Sequence, residues 1–146
     1  MATNNQLFKE FLETEDTLWV CLGDRLHFKS VDRGVKPLFV YIQRFAPCPK
    51  DAIVFDRMVG NAAALLLEKV SCEKVYSLLG SELAVETLKR MGIDYSFSTV
   101  VPYISNQFGD GMCPFEKASI GKSPDEFYQF VEQTLGQERS LAESSK

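Results

Sequence analysis

The residues best equipped for chemistry cluster at apparent helix starts and in one long loop. Arg33 and Lys36 stand just before Pro37, and Arg57 stands just before Gly60 and Asn61. The first turn of a helix presents unpaired amide donors and the positive end of the helix dipole. Cations in such places suit an anion, a phosphate or a carboxylate. A plainer use is open to each: Arg57 can pair with Asp56 or Asp32, and Lys36 can sit solvated in a first turn. Asp56 ends an apolar run and is placed either to cap the next helix or to act on a ligand. Gly60 reads as a site of close helix–sheet packing.

The long segment from Tyr103 to Lys117 carries Tyr103, Asn106, Asp110, Cys113 and Glu116, with Gly109 and Gly111 to let it bend. Loops this long inside a small domain are often binding loops or lids. Cys113-Pro114 has the form of a helix start, where a thiol can serve as nucleophile or redox sensor. The alternative is a small buried cysteine followed by a proline stop. Cys113, Asp56 and Glu116 are therefore the catalytic candidates, and Arg33, Lys36, Arg57, Gly60, Asn61, Tyr103 and Asn106 the ligand-binding ones.

Metal chemistry has little to build on. The four cysteines, Cys21, Cys48, Cys72 and Cys113, contain no C-x-x-C pair, and the single histidine, His27, falls on an apparent strand. Zinc needs three or four such ligands together, so neither a metal nor another cofactor is expected. Spacing gives no sign of a disulfide framework either, which points to reduced thiols in a cytoplasmic protein.

The elements that must hold these groups follow from patterning. The chain has 146 residues, 45% apolar and 25% charged, the profile of one globular domain. We place it at residues 1–136, with a polar tail at 137–146. Thr3 and Gln6 form a capping-box pattern ahead of Leu7, Phe8, Phe11 and Leu12. Strand formers at 17–22, the turn Gly23-Asp24 and alternation from Arg25 to Lys29 predict a hairpin. His27 on it faces solvent or a neighbouring helix. Pro37 opens a helix, 52–55 is a short inner strand stopped by Asp56, and 60–70 is a buried helix. Another strand at 74–79, a helix capped by Ser81 and ended by Gly92, and a strand at 93–101 follow. Ser123-Pro124-Asp125-Glu126 opens the last helix. Helices alternating with strands predict a three-layer α/β/α sandwich around a largely parallel sheet, with a hairpin at its start.

Three stretches carry a more specific signal: Asp32-Arg33-Gly34-Val35-Lys36-Pro37-Leu38, then Asp56 through Ala64, then Val101 through Asn106 with Gly111 through Ala118. With these motifs, roughly residues 5 to 120 resemble a small prokaryotic family of unknown function that has a cytidine-deaminase-like fold. Family members often carry lysine where Asn61 stands here. The resemblance implies that the two helix starts, Gly34–Pro37 and Met58–Asn61, face one pocket. Zinc deaminases place a His or Cys with a Glu at the first start and a C-x-x-C pair at the second. Neither start here has a ligand, so the usual zinc-hydroxide route to deamination is not expected.

The reading that results is a binder of a nucleotide or another small anionic ligand on a deaminase-like scaffold. The alternatives are a thiol-dependent enzyme or redox sensor using Cys113, and a non-catalytic interaction protein. Net charge of −4 and a pI near 5.1 argue against nucleic acid as a partner. No run approaches the ~18 apolar residues of a membrane span, and the N-terminal residues lack the pattern of a signal peptide. An edge strand in the hairpin offers a route to a homodimer.

Overall fold

The computed structural model describes residues 2–144, with side chains described for 2–136. Among these residues six helices surround a five-stranded sheet: α1 (Asn4–Leu12), β1 (Leu18–Leu22), β2 (Arg25–Ser30), α2 (Lys36–Phe45), β3 (Ala52–Val59), α3 (Asn61–Val70), β4 (Cys72–Ser81), α4 (Glu82–Met91), β5 (Asp94–Val101), α5 (Pro114–Ser119) and α6 (Pro124–Ser144). Local chemistry sets most of these limits. Thr3 and Gln6 close a reciprocal capping box on α1, Ser81 accepts from the Ala84 amide at the start of α4, and Gly92 ends α4 in the left-handed region at φ 72°. Ser123 and Glu126 form the same box at α6, with bonds of 3.0 and 3.1 Å.

The sheet runs in the order β2-β1-β3-β4-β5. It is mixed rather than largely parallel: β1 is antiparallel to both β2 and β3, while β3, β4 and β5 are parallel. The hairpin causes this, because its tight turn reverses β1 against β2 and leaves β1 to enter the parallel set backwards.

The two faces are covered unequally. Alternate residues Leu18, Val20, Val54 and Val75 pack against α2, α3, α4 and α6 in the main core. The opposite set, Trp19, Cys21, Ile53, Phe55 and Tyr76, packs against α1 through Leu7 and Phe11. Thus α1, the sheet and the remaining helices make three layers. Full burial of one such side chain is worth roughly 1.5–3 kcal/mol, so the main core carries most of the stability. On the α1 side the rings interlock: Phe11 and Trp19 meet edge to face at 5.5 Å, and the indole N–H donates to Asp16 Oδ2 at 2.7 Å. Trp19 is therefore a packing residue.

Three boundaries depart from expectation. β3 does not stop at Asp56 but continues to Val59, since Asp56 pairs with Leu18 on one side and Ser77 on the other. Its Oδ1 accepts the Arg57 and Met58 amides, which holds the acid within the strand. The segment read as irregular contains α5 and a bridge between Ser105 and Met112. α6 continues to Ser144 through the stretch read as a polar tail, whose last two residues lie outside those described. His27, expected to face solvent or a neighbouring helix, faces the helix: it turns toward α2, 4.5 Å from the Phe45 ring and edge-on to Tyr41. No helix is long and apolar enough to cross a membrane, among the described residues.

Candidate functional site

At the carboxyl end of β3 the sheet, two helix starts and the loop after β5 enclose a cavity of about 290 Å³. Thr17 and Leu18 form its floor. Gly34, Val35 and Pro37 come from the start of α2, Gly60, Ala62 and Ala63 from the start of α3, and Ile104, Cys113, Phe115 and Glu116 from the loop and α5. The short side chains of Ala62 and Ala63 leave the space open. Most of the lining is apolar, as in small-molecule sites, where a few polar groups fix orientation.

Of the residues singled out from sequence, Arg33, Asp56, Arg57, Gly60, Cys113 and Glu116 line this cavity; Lys36, Asn61, Tyr103 and Asn106 do not. The structure then divides the first group by what each side chain already touches.

Arg57 turns its charge away toward α1. Its Nε donates to the Asp16 carbonyl at 2.8 Å and its Nη2 to the carbonyls of Thr14 at 2.6 Å and Phe11 at 3.4 Å. The guanidinium also lies 5.0 Å from the centre of the Phe11 ring. It thus satisfies the carbonyls of Thr14 and Asp16 in the turn after α1 and adds a bond to that of Phe11 in its last turn, where a cation also suits the helix dipole. The expected pairing with Asp56 or Asp32 is absent among the described residues.

Glu116 is 1% exposed and anchors two segments. Its Oε1 accepts the Asn61 amide, the first of α3, and its Oε2 accepts the Ile104 amide at 2.9 Å. Gly60, the N-cap of α3, has no side chain to offer, so a carboxylate from α5 caps the helix instead. A methyl group on Gly60 would lie 2.8 Å from that Oε1, which is why the position is glycine. The α3 start, read from sequence as open to an external anion, holds the protein's own.

Asn61 belongs to the same buried network. Its Nδ2 donates to Ser119 Oγ at 2.9 Å, and its Oδ1 accepts the Thr87 hydroxyl. Ser119 donates in turn to the Glu116 carbonyl at 2.6 Å. Asn61 therefore ties α3 to α4 and α5, with both polar atoms of its side chain engaged. Asn106 likewise builds its own loop: its side chain bonds Asp110 at 2.8 Å and the Phe108 amide at 2.9 Å. Lys36 and Tyr103 are exposed outside the cavity.

Asp56 remains the most chemically available group. Oδ1 accepts the Arg57 amide at 2.7 Å, while Oδ2 has no hydrogen-bond partner among the described residues. The residue keeps some surface toward the cavity, yet its carboxyl lies deep, and burial pushes it up to about 7 against the pull of its two amide donors and of Arg57. A carboxyl in that range can give or take a proton near neutrality. Cys113 shares the cavity; it is partly exposed, whereas Cys21, Cys48 and Cys72 are buried. No three His, Cys, Asp or Glu side chains come close enough to hold a metal ion, among the described residues. The apolar lining, Met58, Ile104 and Phe115, is beyond sequence reasoning, because nothing local distinguishes it from core.

The model of the family described as TM1506: Domain of unknown function (DUF1893) matches residues 7–135, and the chain belongs to that family. Its fold is similar to the crystal structure of a DUF1893 family protein (TM1506) from Thermotoga maritima, with a TM-score of 0.81, 29% identity and 92% of each chain covered. No curated protein matches the chain.

Proposed function

We propose that this DUF1893 protein binds a small molecule that combines a flat, largely apolar body, an edge of hydrogen-bond donors and an anionic group, a description that a nucleotide fits. The observation that carries the reading is an apolar cavity of about 290 Å³ with one carboxyl, Asp56, whose Oδ2 is unspent. The volume sits at the lower limit of small-molecule pockets, roughly 300 Å³, and suits a heterocyclic ring rather than a whole nucleotide. Donors on the ring edge would meet Asp56. The anionic group would lie outside, at Arg33 and the start of α2, which has no side-chain cap.

The scaffold itself we read as deaminase-like, supported by the opening helix and hairpin followed by alternating helices and strands. Gly34–Pro37 and Met58–Asn61 hold no His or Cys, so zinc-dependent deamination is not part of the reading. Its position in the cavity supports Cys113 as a nucleophile in a second reading, distinguished by Cys113→Ser.

The test is thermal stability against nucleotides, nucleosides and sugar phosphates. A ligand at ~100 times its dissociation constant adds about 2.7 kcal/mol, or about 5–11 °C for a domain of this size. Asp56→Asn should weaken every ligand of the class, while Arg33→Ala should weaken the phosphorylated ones alone. Failure of all compounds to shift melting would refute the binding reading and favour an interaction protein.

A further inference from the structure

The two edges of the sheet are built differently. β2 has six residues, carries Arg25 and Lys29, and lies beside a register irregularity at Val20/Cys21. Charges and bulges of this kind keep an edge strand from pairing with another chain. β5 has no bulge, and no charge beyond its first residue, Asp94. It runs for eight residues, Asp94–Val101, in unbroken register with β4 from Lys74↔Asp94 to Ser81↔Val101. From Tyr95 to Val101 it holds no charge, no proline and no glycine. Its outer backbone groups have no partner among the described residues, and the small side chains Ser96, Ser98, Thr99 and Val100 are exposed along it.

We propose that β5 pairs with β5 of a second copy, antiparallel across a two-fold axis, joining two sheets into one. Charge placement selects both the direction and the occupant. The strand's single charge, Asp94, sits at one end. Antiparallel pairing sends the two copies of Asp94 to opposite ends, whereas parallel pairing would set them side by side, where like charges destabilise. In the antiparallel register about the strand's centre Tyr95 faces Val100, Ser96 faces Thr99 and Phe97 faces Ser98, so no charge meets a charge and the edge is compatible with itself. A foreign strand would need side-chain pockets to be told apart from others, and this uncharged edge offers only backbone. A two-fold contact uses the same patch on both copies and closes on itself. The sequence alone points to the hairpin edge for such a contact; the charges on β2 move it to β5.

Sedimentation velocity of the full chain over a wide concentration range tests this. The wild type should approach twice 16.5 kDa at high concentration. Ser98→Lys with Val100→Lys should remain at the monomer mass with an unchanged circular dichroism spectrum, and Leu26→Lys on β2 should still dimerise. Hydrogen exchange on the wild type reads the same contact without a substitution: β5 amides should be protected when concentrated and should exchange on dilution. A wild type that stays monomeric, assemblies larger than a dimer, a doubly substituted variant that still dimerises, or β5 exchange indifferent to dilution would each overturn the proposal.

Discussion

Gly60→Ala tests whether α3 is capped from a distance in the way the geometry describes. Gly60 has φ −95° and ψ −176°, open to any residue, so the substitution introduces no backbone strain. What it introduces is a methyl group 2.8 Å from Glu116 Oε1, 2.8 Å from Ile104 Cγ1 and 3.0 Å from Glu116 Cδ. Neither neighbour yields freely: Ile104 is 7% exposed, and Glu116 holds the Asn61 and Ile104 amides. Overpacking of this kind costs about 1–3 kcal/mol. If the carboxylate gives way instead, it loosens two bonds to a charged group, each worth about 1.5–3 kcal/mol. We expect a loss of about 2–4 kcal/mol by urea unfolding, or about 4–16 °C in Tm. The decisive measurement is a double-mutant cycle. Glu116→Ala removes one of the two obstacles along with the cap and leaves Ile104, so adding Gly60→Ala to it should cost less than in the wild type, a coupling of about 1 kcal/mol or more. Glu116→Gln keeps the shape, and in that background Gly60→Ala should cost as much as in the wild type. Additive losses in the Glu116→Ala cycle, or a Gly60→Ala variant as stable as the wild type, would refute the reasoning.

Asp56 sets a pH signature: its folded carboxyl is pushed up to about 7 while the unfolded one titrates near 4. The folded state then binds the extra proton, so the wild type loses stability relative to Asp56→Asn as pH rises from about 4 to about 7, and no further above that. Melts of both proteins across that range check it, and a pH-independent difference would contradict it. Arg57→Ala should lower stability by about 2 kcal/mol through lost bonds to the carbonyls of Phe11, Thr14 and Asp16, with Arg57→Lys recovering less than half because an ammonium cannot reproduce the fork. Chemical unfolding decides this, and a neutral Arg57→Ala would return the arginine to the ligand. A thiol reagent at neutral pH should label Cys113 in the native protein and all four cysteines once unfolded. The others are buried, with Cys21 pushed up to about 11 and Cys72 to about 12 by that burial; native labelling that survives Cys113→Ser would contradict the assignment.

The element order was legible because its signals are local. Thr3 with Gln6, Gly23-Asp24, Ser81, Gly92 and Ser123 with Glu126 each act within a few residues, and the structure uses each of them. The unequal covering of the sheet was not legible, since either face of a strand can read as buried. Nor were the long-range bonds. Glu116 reaches Asn61 across 55 residues, Asn61 reaches Thr87 across 26, and Arg57 reaches Phe11 across 46. No spacing rule connects such pairs.

Those long-range bonds decide the electrostatics of the cavity. Counted along the sequence, Arg33, Lys36 and Arg57 at two helix starts describe a basic pocket. The fold spends these charges differently: Arg57 lines the cavity but turns its guanidinium to the carbonyls of Phe11, Thr14 and Asp16, Lys36 lies outside, and Arg33 is the other cation of the lining. A helix start offers roughly half a positive charge, and at α3 a full carboxylate already faces it. The α3 side is therefore no place for a second anion, and with Asp56 close by in the lining it favours groups that donate hydrogen bonds. Only the α2 side, with Arg33 and an uncapped first turn, still favours negative charge. A molecule that donates at one end and is anionic at the other meets both conditions, and a simple anion such as free phosphate meets only one of them.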